Sequence, residues 1–248
     1  MSSMKKLLSV MAMGLMGIVV TEAKSADLQV VYSTDFSTDP GWTTNAPSDY
    51  YWDSGSQSYY QREVDGSNGY AFVSIPGLNG AQAWRLDFDI NKTSGTGASD
   101  ARFGFWDSDM TGYSPYNLHV NQYWLFLLDW NSTAEGHNLA HITEAVSEGT
   151  WRHVQLDYDP GSGNAYAKVA LLDGTLIGEV IQYVGPLSGI DRLGMSTIGD
   201  GYGGTGVSYI DNVVLQQTPE PATMGLLGVG GVAVLRRGSG RVLRRRRG

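Results

Sequence analysis

Trp84-Arg85-Leu86-Asp87-Phe88-Asp89-Ile90 is the stretch that decides the fold. Large apolar and charged side chains alternate through it, and a period of two marks a strand with one face on a core and the other in water. Trp84, Leu86, Phe88 and Ile90 are expected inside, and Arg85, Asp87 and Asp89 outside. Farther along, Trp151, Val154, Leu156 and Tyr158 interleave with polar residues in the same way, with one irregularity near Arg152 and His153. Further strands are read at 28–36, 58–64, 69–75, 83–91, 101–107, 123–130, 138–143, 150–159, 165–173, 175–184, 191–197 and 207–215. Gly, Pro, Asn, Asp and Ser divide these runs, and convincing helical periodicity is missing. The expected fold is all-β, a two-layer antiparallel jelly-roll sandwich over residues 27–217.

Composition fits one domain of that kind. At 248 residues with 42% hydrophobic side chains, the chain can bury a large core. From Asp27 to Thr218 there are 7 Lys or Arg against 23 Asp or Glu, a net charge of −16. Phosphate binding needs clustered positive charge, so a nucleic-acid partner is not expected. With no cysteine there is no disulfide framework, thiolate metal site or thiol nucleophile.

Both ends read as addresses. Lys5 and Lys6 precede an apolar stretch from Leu7 to Val20 and then small residues, the layout of a signal peptide over residues 1–26. At the other end, residues 222–235 form an apolar run of 14 residues. As a helix it would span about 21 Å against a hydrocarbon core of about 30 Å, a poor permanent anchor. Four glycines weaken it further, and seven arginines from Arg236 to Arg247 would resist translocation.

Pro219-Glu220-Pro221, the short Gly-rich apolar helix and the closing arginines together resemble the PEP-CTERM sorting signal of Gram-negative bacteria, over residues 218–248. The resemblance implies transient insertion in the inner membrane. It also implies recognition of Pro219, Glu220 and Pro221 by an exosortase and delivery to the cell surface or extracellular space. Gly238-Ser239-Gly240 splits the arginines and lengthens the tail.

Two stretches inside the domain resemble the concanavalin A-like (laminin G-like) sandwiches. Gly149-Thr150-Trp151-Arg152-His153-Val154-Gln155-Leu156-Asp157-Tyr158-Asp159, with the following turn, strand and Leu172-Asp173-Gly174-Thr175, resembles their paired central strands. Ser208-Tyr209-Ile210-Asp211-Asn212-Val213-Val214-Leu215 is similar to the final strand of exported carbohydrate-binding jelly rolls. That likeness implies first and last strands side by side, with a structural calcium near an acidic residue of each. Asp35, Asp39 and Asp211 stand in the matching places, and calcium takes six to eight hard oxygens. The same aspartates would equally serve as turn caps.

Aromatic residues gather where a sugar could stack. Tyr50, Tyr51, Trp52, Tyr59, Tyr60, Trp106, Tyr113 and Tyr116 are candidate ligand-binding residues, since flat rings pack on the C–H faces of sugars while nearby Asp and Asn take the hydroxyls. An ordinary sandwich core would also use them. A hydrolase would show paired carboxylates aimed into one groove, typically as Glu-x-Asp-x-x-Glu, and no such run occurs. Asp87 with Asp89, and Asp157 with Asp159, share a face by their i, i+2 spacing, which also suits a solvated strand. His119, His137, His141 and His153 form no recognisable metal pattern. The expected function is non-catalytic, binding exopolysaccharide or building extracellular matrix. A secreted glycoside hydrolase or polysaccharide lyase of the same fold is the alternative.

Overall fold

A computed structural model describes residues 28–64, 69–96, 101–106, 116–120, 125–129, 137–142, 148–187, 189–196 and 205–219. The expected signal peptide, Tyr113, Glu220, Pro221 and the apolar, Arg-rich tail lie outside the described residues. Among the described residues there are fifteen strands and no helix. In chain order they are β1 (Gln29–Thr34), β2 (Thr43–Thr44), β3 (Tyr50–Asp53), β4 (Ser58–Glu63), β5 (Tyr70–Ser74), β6 (Trp84–Thr96), β7 (Ala101–Trp106), β8 (Tyr116–Val120), β9 (Leu125–Asp129), β10 (His137–Ile142), β11 (Trp151–Asp159), β12 (Asn164–Leu171), β13 (Leu176–Tyr183), β14 (Arg192–Ser196) and β15 (Thr205–Gln217). Every strand expected from the sequence is present; β2, β3 and β8 are additional.

The strands form two antiparallel sheets. One runs β13-β12-β11-β6-β15-β4-β3, with β1 also paired to β15. The other runs β10-β9-β8-β7-β14-β5-β2. The opening stretch of the sequence is β6, at the centre of the first sheet. Trp84, Leu86, Phe88 and Ile90 are all 1% exposed or less. They meet the inward side chains of the second sheet, Trp84 lying 4.2 Å from Phe105 and Phe88 4.7 Å from Phe103 between ring centroids. Two turns next to β12 explain its hairpins. Asp159 Oδ1 accepts from Gly161 N at 2.9 Å, and Gly163 follows at φ 69°. Beyond the strand, Asp173 Oδ1 accepts from Thr175 N around Gly174 at φ 86°. Positive φ is cheap only without a Cβ, so glycine closes both.

The apparent irregularity at Arg152 is a correction. β11 alternates without a break from Trp151 to Asp159 and pairs in continuous register with β6 and β12. Arg152, 4% exposed, holds the inward position, and Trp151 faces outward with His153. The guanidinium is tolerated because Nη1 donates to Thr150 O at 2.7 Å. Other polar side chains take inward positions toward that end of the sheet: Lys92, Gln61, Glu63 and Ser208 are all buried.

Candidate functional site

The period of two divides the aromatic run at β3 and β4. Tyr50 and Tyr59, 0% and 2% exposed, point into the core. Trp52 is half-buried beside them and donates from Nε1 to Phe36 O at 2.8 Å. Tyr51 and Tyr60, directly opposite each other, face outward. Trp106 is fully buried on the face of β7 opposite to Phe105, its Nε1 donating to Gly194 O at 3.2 Å. Tyr116 opens β8 opposite Phe105 in the register. Four of the expected ligand-binding rings, Tyr50, Trp52, Tyr59 and Trp106, therefore serve packing, and two come together at the surface.

Those two are joined by a third that the sequence reading did not single out as a ligand residue. Tyr209 of β15 lies opposite Tyr60. Its inward neighbour Ile210 is fully buried, so alternation alone would have placed Tyr209 outside. Tyr51 and Tyr60 stack with centroids 4.5 Å apart and 25° between planes; Tyr60 and Tyr209 meet edge-on at 5.4 Å and 74°. Tyr51, on the edge strand β3, is 40% exposed and leaves a ring face open. Burial, then the neighbouring Tyr51, raises the Tyr60 phenol above its ordinary value, while Arg62 pulls it down. Burial, then the charge of Asp53, raises Tyr209. Both hydroxyls therefore keep their protons at neutral pH and can donate as well as accept.

Beside this row the same face opens into a cleft of about 340 Å³ lined by Arg62, Val64, Ser94, Thr205, Gly206 and Val207. Arg62 Nε donates to Asp49 Oδ1 at 2.6 Å and Nη2 makes a second contact to that oxygen. The backbone repeats the link, with Arg62 N on Asp49 O at 2.7 Å. Asp53, lowered by hydrogen bonds from Ser56 Oγ and Gly55 N, stays ionised near Tyr209.

Of the three aspartates considered for calcium, Asp35 and Asp39 hold turns and Asp211 sits at the irregularity inside β15. Asp35 Oδ1 accepts from Ser37 N and Ser37 Oγ at 3.0 and 2.8 Å, and these bonds lower its pKa. Asp39 Oδ1 accepts from Gly41 N at 2.8 Å. Asp211 Oδ1 accepts from Asn212 N at 2.7 Å; burial, with smaller contributions from Asp89 and Asp35, raises its pKa. Strands β1 and β15 do lie side by side. Among the described residues no group of three or more His, Cys, Asp or Glu is gathered to hold a metal.

A second polar cluster crosses the outer face between β6 and β11. His153 Nδ1 lies 2.8 Å from Asp89 Oδ1, and Nε2 lies 3.5 Å from Asp87 Oδ1. Asn212 Nδ2 donates to Asp89 Oδ2 at 2.8 Å. Hydrogen bonds to Asp87 and Asp89 push the His153 pKa up to about 9, so the ring is an imidazolium at neutral pH and a poor base. Next along the strands, Arg85 grips Asp157 through two bonds, of 2.6 and 3.0 Å. These carboxylates lock neighbouring strands. Because the folded His153 pKa lies above the ordinary 6.5, its stabilisation is complete below pH 6.5 and is lost as pH rises through about 9. The side chain is 44% exposed, so solvent screening leaves about 1 kcal/mol. The unfolding free energy from urea titrations should fall by about that amount between pH 6 and pH 9, below the range where tyrosines ionise, and a His153→Gln variant should show a much smaller fall.

No protein-family model and no curated protein matches the sequence. Solved structures do match the fold. A basic winged bean lectin with Tn-antigen aligns with a TM-score of 0.57 at 11% identity, over 76% of this chain and 98% of that one. Lectin II from Ulex europaeus aligns at 0.55 and 9% identity, over 76% and 98%. The domain has the jelly-roll fold of the legume lectins. A sialidase also aligns, at 0.51 and 14% identity, but the chain spans only 18% of its length. The concanavalin A-like architecture expected from β11, β12 and the closing strand is thus the one present.

Proposed function

We propose that this chain is an exported, non-catalytic carbohydrate-binding sandwich whose outer tyrosine row, Tyr51–Tyr60–Tyr209, receives a glycan. The observation behind it is the juxtaposition on one face of an open ring at Tyr51, two supporting tyrosines and a cleft rimmed by Arg62 and Asp49. Apolar platforms with a few aimed polar groups suit sugars, which offer C–H faces and hydroxyls together. The lectin neighbours support this reading at the level of fold. Catalysis is disfavoured because Asp87 and Asp89 are tied to a protonated His153 and Asp157 to Arg85, which leaves neither pair poised as acid and base. The glycoside hydrolase or lyase reading keeps only the partial sialidase likeness.

Export rests on the sequence. The domain would leave through its signal peptide, pause in the inner membrane by its tail and be released by an exosortase at Pro219-Glu220-Pro221. The folded part supports this division, since β15 ends at Gln217 and Thr218 N is still tied to Ala83 O at 2.9 Å. A mature polypeptide recovered from the cell exterior should lack Arg236 to Arg247; recovery of that tail on extracellular protein would contradict the sorting step. Glycan binding is tested by electrophoresis of the full chain through gels containing β-glucan, galactomannan, alginate or polygalacturonate. Retardation by at least one, lost in Tyr51→Ala, supports the reading; no retardation, or retardation unchanged in the variant, removes it.

A further inference from the structure

Resting on that reading of the tyrosine face, we propose that its ligand is a neutral polysaccharide bound through at least two consecutive units. One unit stacks on the tyrosines, and the Arg62–Asp49 pair takes adjacent hydroxyls of the next.

The need for two units follows from the register. Arg62 lies opposite Val207 just as Tyr60 lies opposite Tyr209, and Val207 lies opposite Ser94. The cleft residues therefore form the next outward row of the same face, two residues or about 7 Å along β4 and β15 from the rings. One ring stacked on Tyr51 cannot fill both places, whereas a chain running along the strands passes over the tyrosines and into the cleft.

The polar chemistry fits hydroxyls. Arg62 spends Nε and Nη2 on Asp49 Oδ1, and its side chain is still 47% exposed. Among the described residues, Asp49 Oδ2 accepts a single 3.1 Å bond, from the exposed Ser48 Oγ. The pair therefore presents guanidinium donors and carboxylate acceptors together in one rigid unit. Two neighbouring hydroxyls, each donor and acceptor, complement such a unit; a carboxylate, acceptor only, does not. Ser94 and Thr205 add further hydroxyls along the cleft.

Charge selects against acidic chains. Among the described residues, Arg62, Asp49 and Asp53 stand beside the row, one positive group against two acidic ones, within a domain at −16. A polyanion would have to break the Arg62–Asp49 pair and enter that field, which reaches about 8 to 10 Å at ordinary salt.

The test uses the full chain in affinity gels containing β-glucan, galactomannan, alginate or polygalacturonate, at about 0.1 M and about 1 M salt. Retardation by a neutral polysaccharide, insensitive to salt and about tenfold weaker in both Arg62→Gln and Asp49→Asn, is expected. Tyr51-dependent retardation by alginate or polygalacturonate alone would overturn neutrality and leave the tyrosine face standing. Neutral retardation that is unchanged in both variants, or equally strong with a monosaccharide competitor and its polymer on a per-sugar basis, would overturn the two-unit site. Retardation by none of the four would remove this inference and the glycan reading together.

Discussion

Replacing Trp84 with alanine is expected to lower the unfolding free energy by about 3 to 5 kcal/mol, read from urea midpoints at constant m-value. The indole is 1% exposed, sits 4.2 Å from the Phe105 ring of the opposite sheet and stacks at 5.6 Å on Tyr158 of its own. It thus joins both layers at one end of the core. No neighbour can collapse into the vacated space without moving a strand, since Leu86, Phe105 and Tyr158 are already fully packed. A loss under about 1 kcal/mol would mean that the sheets do not meet around this residue. Arg85→Ala, one position along and facing water, should cost far less, because its partner Asp157 can be rehydrated.

The largest expected effect on binding comes from Tyr60→Ala. Tyr60 is the middle of the row, stacked on Tyr51 and edge-on to Tyr209. Its removal takes away one ring and the support that fixes the other two. Polysaccharide affinity should fall by about 30-fold, roughly 2 kcal/mol, as expected of a central aromatic anchor. The stability cost should stay at about 0.5 to 1.5 kcal/mol, the worth of aromatic pairs beyond their area. Tyr60→Phe should retain most affinity, since the stack survives. Equal loss in Phe and Ala variants would instead assign the effect to the hydroxyl.

The period of two made the sandwich legible because it is a local property. Trp84 to Ile90 and Val154 to Tyr158 report their burial without reference to any partner. β3 escaped notice since all its four residues, Tyr-Tyr-Trp-Asp, can face either way; only pairing with β4 turns Tyr50 inward and Tyr51 outward. Arg152 was unreadable for a similar reason, as hydrophobicity favours Trp151 for the core and only the continuous ladder with β6 places the arginine inside. At the candidate site, Tyr51 and Tyr60 could be named from sequence, but Tyr209, 149 residues beyond Tyr60, joins them solely through the crossing of β15 next to β4. Likewise the Arg62–Asp49 pair depends on a hairpin whose register the sequence does not announce.

Hydroxyl-radical footprinting of the full chain, with and without the retained polysaccharide, measures directly where sugar sits. Selective protection of Tyr51, Tyr60 and Tyr209, with Tyr166 and the 62% exposed Tyr183 unchanged, is the result expected here. Protection confined to Tyr166 and Tyr183, with the Tyr51–Tyr60–Tyr209 row oxidised as before, would contradict it.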